Sequence, residues 1–423
     1  MSASLLGTGW TVAATLLAPA LRLNLRRRAA NGREIAERLP ERFGIDPTPR
    51  PAGPLVWMHA ASVVETMSIL PVLDALRHRV KVLLTTGTVT SQALLDQRIP
   101  EQGLSDAVLH RFAPLDVPSW TGRFLSHWQP DAVCFVESEL WPNQLAACQA
   151  RGIKLMLLNA RMSDRSFAYW RRAPGFARRV LGGFAQIQAR GDQDADRLRQ
   201  LGGRCVESPG DLKFAAPPLP ADQAELDRLT NVLAGRPVWL AASTHPGEEA
   251  LIAAAHRTIA QTHPRLLTII APRHPDRGPA LAAELNAPRR AAGQEPRPDD
   301  GIWIADTMGE LGLWYRLAPI AFIGRSLVGP GGGQNPLEPA RLSCAIAVGP
   351  HTGNFTDHIG LLRDAGALVE VPDPAALARF VSTMLDSPDQ RRRLTEHAAA
   401  SIRRYADLPA RSAEVLLSLL SRT

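Results

Sequence analysis

The chain has 423 residues, of which 45% are hydrophobic and 21% charged, with no low-complexity tract and no fixed-period repeat. These totals exclude a disordered or repeat protein and exceed what one core normally supports, so two α/β domains of about 200 residues each are expected. A formal charge of +7 favours anionic partners, but with 5% aromatic residues and no basic stripe interleaved with them nucleic-acid binding is not expected.

The first element is an uncharged run from Met1 to Leu21, followed at once by Arg22, Arg26, Arg27 and Arg28. A cleaved leader carries its positive charge before the apolar run, so the order here is wrong for one. The run is short for a membrane span, and Gly7, Gly9 and Pro19 weaken it, while the arginines would hold the following domain on the cytoplasmic side. Residues 1–28 are therefore expected to form a cytoplasmic-face anchor or monotopic helix, the alternative being a soluble helix packed on its own domain.

From Leu55 onward, short apolar runs alternate with helix-length amphipathic segments. "LVWMH", "KVLLTT", "AVCFV", "KLMLLN" and "FAQIQA" read as strands, and such alternation specifies a parallel sheet covered by helices. The proline cluster in "GDLKFAAPPLPADQ" reads as a hinge, after which the pattern restarts with "PVWLAAS", "RLLTIIAPRH", "IWIADT", "IAFIG" and "AIAVG". Two similar doubly wound domains follow, over 29–215 and 216–423, and the helical stretch from "PAALARFVSTML" onward is expected to pack back across the hinge. Domains of this kind bind ligands at the carboxyl ends of their strands, in a cleft where the two face each other. Polar motifs follow the strands in the expected places: "HAASVVE", "ESELWPN", "NARMSDRS", "STHPGEE", "PRHPDR" and "GRSLVGPGGGQNPLEP".

Within those motifs Glu65 is a candidate general base at the start of a helix, although a carboxylate there also serves as a cap or dipole partner. Glu137 and Glu139 flank Ser138 and would point oppositely if the strand continued, leaving one of them structural. Asn159 and Arg161 could hold an anionic sugar or phosphate, or belong to a helix-start network around Ser163 and Asp164. Ser243 and Thr244 could bind phosphate through hydroxyls and freed amides, with Glu248 and Glu249 stabilising the next helical turn. Arg273 and His274 directly follow a strand, where an arginine can act as a fork for phosphate or carboxylate or form a surface ion pair. Gly331, Gly332 and Gly333 offer a bare backbone to an anion, ahead of a helix expected to have Asn335 as its cap, Pro336 as first residue and Glu338 reaching back as a capping-box acid. The alternative is a glycine turn and a self-capped helix.

The four cysteines, Cys134, Cys148, Cys205 and Cys344, are far apart, form no metal-ligand spacing and read as small buried hydrophobes of a reduced protein. No HExxH, phosphate-loop lysine or GxSxG motif is present, and no metal dependence is indicated.

Taken in order, "HAASVVE", "ESELWP", "NARMSDRS", "GDLKF", "STHPGEE", "APRHPDR", "DTMGELGLWY", "GRSLVGPGGGQNPLEP" and "GPHTGNF" resemble the Kdo transferases of lipopolysaccharide synthesis over most of the chain. These enzymes move 3-deoxy-D-manno-octulosonic acid (Kdo) from CMP-Kdo onto a lipid A precursor, lipid IVA. The resemblance implies a GT-B fold of two Rossmann-like domains, a membrane-associated N-terminal segment at the cytoplasmic face of the inner membrane, and an inverting mechanism without metal or other cofactor. By matching position it implies Glu65 as the base toward the acceptor, with Ser62, Glu137, Glu139, Asn159 and Arg161 on the acceptor side. It implies a CMP site in the C-terminal domain formed by Ser243, Thr244, Arg273, His274, Gly331 to Gly333, Gln334 and Asn335, with Glu338 on the ribose hydroxyls. Three positions depart from the family pattern: Val64 and Arg325 stand where it has glycine, and Gln334 where it has histidine. A β-branched residue at 64 is a poor fit to a backbone needing positive φ, and glutamine at 334 cannot become cationic. A GT-B transferase for another nucleotide sugar, and a binding protein that kept the fold without activity, remain open alternatives.

Overall fold

A computed structural model of the chain describes residues 5–420, so the first four residues of the uncharged N-terminal run lie outside the described residues. The chain divides into two compact units, one running to Ala216 and resuming at Tyr405, the other Pro217–Arg404. The division falls inside the proline cluster. Of the three C-terminal helices only Leu408–Leu420 belongs to the first unit, while Pro374–Asp386 and Pro388–Arg403 stay with the second.

The first unit is built on seven strands, β1 (Leu55–Ala60), β2 (Lys81–Thr86), β3 (Val108–Phe112), β4 (Ala132–Val136), β5 (Lys154–Ala160), β6 (Gln186–Ala189) and β7 (Val206–Glu207). They are all parallel, in the order β3-β2-β1-β4-β5-β6-β7. No residue of β1 is exposed, because helices cover both faces of a central parallel strand. Side-chain alternation then divides the strand between two cores. Val56, Met58 and Ala60 pack with the helix Val63–Leu76 and with Leu416 and Leu417 of the final helix, whereas Leu55 and Trp57 pack with Phe124 and Trp128 on the other face. Four buried apolar residues of the final helix, Leu408, Ala413, Leu416 and Leu417, thus complete a core that the strands alone leave open.

The helix Leu5–Ala30 leans on this unit through few contacts. Trp10 Nε1 donates to Asp116 Oδ2 at 2.7 Å, Thr11 Oγ1 donates to Asn143 Oδ1 at 2.7 Å, and Leu25 is buried. Two of its arginines also contact the unit: the exposed Arg22 lies over the Phe43 and Trp120 rings, and Arg28 pairs with the buried Glu34 at 3.1 Å. Leu16 and Leu17 remain 75% and 56% exposed. Among the described residues no helix is long and apolar enough to cross a membrane.

The second unit has six strands, β8 (Val238–Thr244), β9 (Leu267–Pro272), β10 (Ile302–Ile304), β11 (Ile320–Ile323), β12 (Ala345–Val348) and β13 (Leu368–Glu370), parallel in the order β10-β9-β8-β11-β12-β13. Its core gathers Trp239, Phe322 and Ile270 with Ile252 and Val381 from flanking helices. In each unit the strand order reverses once, between β1 and β4 and between β8 and β11, and such a reversal opens a crevice at the carboxyl ends of the two strands. Strands β3, β7 and β13 are not among the expected ones. Three cysteines are buried as expected and Cys205 is exposed.

Candidate active site

At the β1/β4 reversal, β1 runs into the helix Val63–Leu76, which Ser62 caps by accepting from Glu65 N at 3.3 Å. The Glu65 carboxylate answers by accepting from Ala61 N and from Ser62 Oγ, each at 2.8 Å. This is a variant of the capping box, so Glu65 does hold the helix start. Each carboxylate oxygen has a second lone pair, and the residue is only half-buried, which leaves room for a proton. Burial pushes the Glu65 pKa up, the two hydrogen bonds work against that rise, and the charges of Glu137 and Glu139 add to it. Val64 lies within the helix with a right-handed backbone and is 59% exposed, so the expected conflict with a positive φ does not arise.

Glu137 follows β4 with φ +56 and accepts from Lys213 Nζ at 2.9 Å. Glu139 lies 3.3 Å from His59 Nε2 and accepts from Trp141 Nε1. Burial alone would raise its pKa, but the contacts with His59 and Trp141 bring it below the usual value. His59 is buried at the end of β1, with Nδ1 3.0 Å from Thr85 Oγ1, and so stands between β2 and the motif after β4. Beside these groups a cavity of about 360 Å³ is lined by Leu21, Asn24, His59, Ala61, Asp116 and Glu139. Asn159 is not available to a sugar. It is buried with φ +54, donates to Asp211 Oδ1 at 3.1 Å and accepts from Leu212 N at 3.0 Å, tying β5 to the segment before the hinge. The Arg161 side chain is exposed, and it is Ser163 and Arg197 that organise the following helix start, through Ser166 N and Asp164.

At the β8/β11 reversal the groups after β8 divide in two. Thr244 is fully buried and donates to Glu249 Oε1 at 2.8 Å, and Glu249 is also forked by Arg277; this hydroxyl is structural, not a phosphate donor. Ser243, with φ +56, is partly exposed. Glu248 does more than favour a helical turn: fully buried, it accepts from His245 N (2.9 Å), Arg325 N (2.7 Å), Ser326 N (2.9 Å) and Leu327 N (2.9 Å). It thereby clamps the loop after β11 to the loop after β8.

The glycine loop is bare for a reason that differs in part from the expected one. Gly331, Gly332 and Gly333 all have positive φ, and an added Cβ would meet His351 Cβ at 2.5 Å from Gly331 and Asn354 Nδ2 at 2.5 Å from Gly332. The Gly332 and Gly333 amides already donate, to His351 O at 3.1 Å and Arg325 O at 2.7 Å, so neither is a free cradle for an anion. The helix that follows, Leu337–Arg341, has Pro336 at its cap position. Asn335 Oδ1 accepts from Leu337 N at 3.1 Å and its amide donates to Glu338 Oε1 at 3.2 Å, so Glu338 bonds a side chain and does not reach back to a cap amide. Burial raises the Glu338 pKa against the pull of Asn335, Arg341 and Arg273.

The positive charge at this reversal is carried by side chains. Arg273, His274 and Arg325 are exposed, and their charges depress the pKa of His245, after burial as the largest cause and against the opposing charge of Glu248. Gln334 Nε2 lies 3.1 Å from His245 Nε2, a contact that suits a neutral ring nitrogen as acceptor. His59 and His245 are the members that sequence reasoning passed over. His59 lies next to the last residue of β1 and His245 directly follows β8, and that place at a strand end was their one visible signal. Among the described residues no group of three or more His, Cys, Asp or Glu side chains is placed to hold a metal ion.

Residues 37–216 match the sequence family described as 3-deoxy-D-manno-octulosonic-acid transferase. The chain is 35% identical over 425 residues to the 3-deoxy-D-manno-octulosonic acid transferase of Bordetella pertussis, covering 96% of this chain and 98% of that one. It is 33% identical over 392 residues to the probable mitochondrial 3-deoxy-D-manno-octulosonic acid transferase of Arabidopsis thaliana, covering 88% of this chain and 86% of that one. A solved glycosyltransferase from Rickettsia africae ESF-5 superposes with a TM-score of 0.57 at 11% identity, over 88% of this chain and 100% of that one, a likeness of fold alone.

Proposed function

From the premise that this chain belongs to the 3-deoxy-D-manno-octulosonic acid transferase family and has the GT-B fold of two Rossmann-like units, we propose that it moves Kdo from CMP-Kdo to a hydroxyl of a lipid A precursor. In this reading the Glu65 carboxylate removes the acceptor's proton. The acceptor oxygen bonds to the anomeric carbon as the bond from that carbon to the CMP phosphate breaks, and the configuration inverts. The departing phosphate carries the developing charge, and Arg273 is the cation assigned to it, with no metal ion in the step. The cavity beside Ala61 is the proposed seat of the acceptor sugar, and Glu338 the acceptor for the ribose hydroxyls. The helix Leu5–Ala30 is proposed to lie on the cytoplasmic face of the inner membrane, its exposed leucines in the interface.

One observation carries the assignment of the base. Glu65 is fixed by two hydrogen bonds at the sheet reversal, yet burial and two neighbouring carboxylates raise its pKa, which makes it a better proton acceptor than an ordinary surface carboxylate. Glu65→Gln keeps one acceptor oxygen for Ala61 N, turns an amide NH2 toward Ser62 Oγ, which can accept from it, and removes the base. Turnover of CMP-Kdo with a tetra-acylated acceptor is expected to fall at least about 100-fold, with CMP affinity by calorimetry unchanged. Retained turnover would reject the role of Glu65.

A further inference from the structure

Seven non-glycine residues among those described have positive φ, and four of them, Glu137, Asn159, Ser243 and Arg325, sit at the carboxyl ends of β4, β5, β8 and β11. Strained backbone of this kind persists where surrounding structure enforces it, and it concentrates at functional sites. Glu137 and Asn159 have side-chain partners within their own unit that account for their placement. Arg325 differs. At φ +58 it occupies a conformation that suits glycine, yet it carries a long cationic side chain. Its backbone is pinned on both sides, the N–H donating to the buried Glu248 at 2.7 Å and the carbonyl accepting from Gly333 N at 2.7 Å. The side chain itself is exposed and makes no hydrogen bond or ion pair among the described residues. A rigid loop therefore holds an unpaired guanidinium at the β8/β11 reversal, beside His245 and on the same rim as Arg273.

We infer that Arg325 is a binding residue of the donor site, its guanidinium taking an anionic oxygen of the nucleotide sugar, either the phosphate or the sugar carboxylate. The inference rests on the CMP-Kdo reading above. The geometry gives the reason for a side chain here: with the Gly332 and Gly333 amides already committed, the glycine loop offers an anion little main chain, and a fixed cation replaces it. The Arg325 side chain is exposed, and the Glu248 clamp fixes the left-handed backbone that carries it.

The test uses the full chain with Arg325→Gly, which relaxes the backbone, and Arg325→Asn, which tolerates the same φ without charge. Both should melt at or above the wild-type temperature, which separates binding from folding. If the phosphate is the partner, CMP binding by calorimetry weakens about tenfold or more in both variants while cytidine binding is unchanged. If the sugar carboxylate is the partner, CMP binding is unchanged and KM for CMP-Kdo rises by a similar factor. Variants equal to wild type in both CMP affinity and KM overturn the inference while leaving the donor reading intact. A wild-type chain that binds neither CMP nor CMP-Kdo overturns both.

Discussion

Glu65 has two duties that pull in opposite directions. As the partner of Ala61 N and Ser62 Oγ it is a structural acceptor, and as a half-buried carboxylate near Glu137 and Glu139 it is an acid whose charged form is disfavoured. The sign follows from the raised pKa. A carboxyl that binds its proton more tightly in the folded state stabilises the fold below the ordinary carboxylate range, and that contribution is lost as pH rises through its folded pKa. The base must be ionised to act, so kcat/KM should rise with pH through an acid limb above the usual glutamate value, and that limb should vanish from the residual rate of Glu65→Gln. A limb at or below the ordinary value would mean that another group controls the rate. The residues that the motifs singled out divide on similar physical grounds. Glu65, Arg273 and Gln334 remain partly or wholly exposed, whereas Thr244 and Asn159 are buried and bond Glu249, Asp211 and Leu212. Which of two polar side chains after a strand turns inward depends on partners far along the chain, as in the Asn159 contact with Asp211, and local spacing holds no record of them.

Among the elements, the N-terminal helix is the least like the rest. Leu6, Trp10, Val12, Leu16 and Leu17 are exposed on it, and it is held by side-chain hydrogen bonds from Trp10, Thr11 and Arg28, the ring contacts of Arg22 and the buried Leu25. Exposed leucines in the first half of this helix, followed by the exposed Arg26 and Arg27, are the basis for the proposed contact with anionic headgroups. Leu16→Glu with Leu17→Glu should reduce co-sedimentation with phosphatidylglycerol-containing vesicles about tenfold or more, with an unchanged melting temperature; undiminished sedimentation would place the membrane contact elsewhere or remove it. The fully buried strands were readable as apolar runs because helices cover both faces of each sheet. Strand β3 was not, since His110 and Arg111 interrupt the run of an edge strand, with Arg111 bonded to Thr48 and paired with Asp46. Strands β7 (Val206–Glu207) and β13 (Leu368–Glu370) offer one and two apolar residues before a glutamate, too few to stand out as a run, unlike the equally short Ile302–Ile304.

At the scale of the molecule, one plan is used twice: a parallel sheet whose order reverses once, with polar loops at the reversal, where the first unit places Glu65, Glu137 and Glu139 beside His59 and the second places the exposed Arg273, His274 and Arg325 around the buried Glu248. That division of charge matches a reaction needing a base for a hydroxyl and cations for a departing phosphate. The chain then returns after Arg404 so that Leu408–Leu420 completes the first unit's core, which makes the first unit depend on residues at both ends of the sequence. The repeated alternation of strands and helices made two doubly wound domains legible in advance. The return of the last helix alone was not, because its apolar stripe fits either unit's core equally well by composition. Transfer of Kdo to a lipid-borne alcohol adds a fixed mass to the acceptor, which mass spectrometry of the product reads. Purified full-length chain incubated with CMP-Kdo and tetra-acylated lipid A precursor should yield a lipid heavier by one or more whole Kdo residues. An acceptor of unchanged mass, while an established Kdo transferase converts it under the same conditions, would contradict the account.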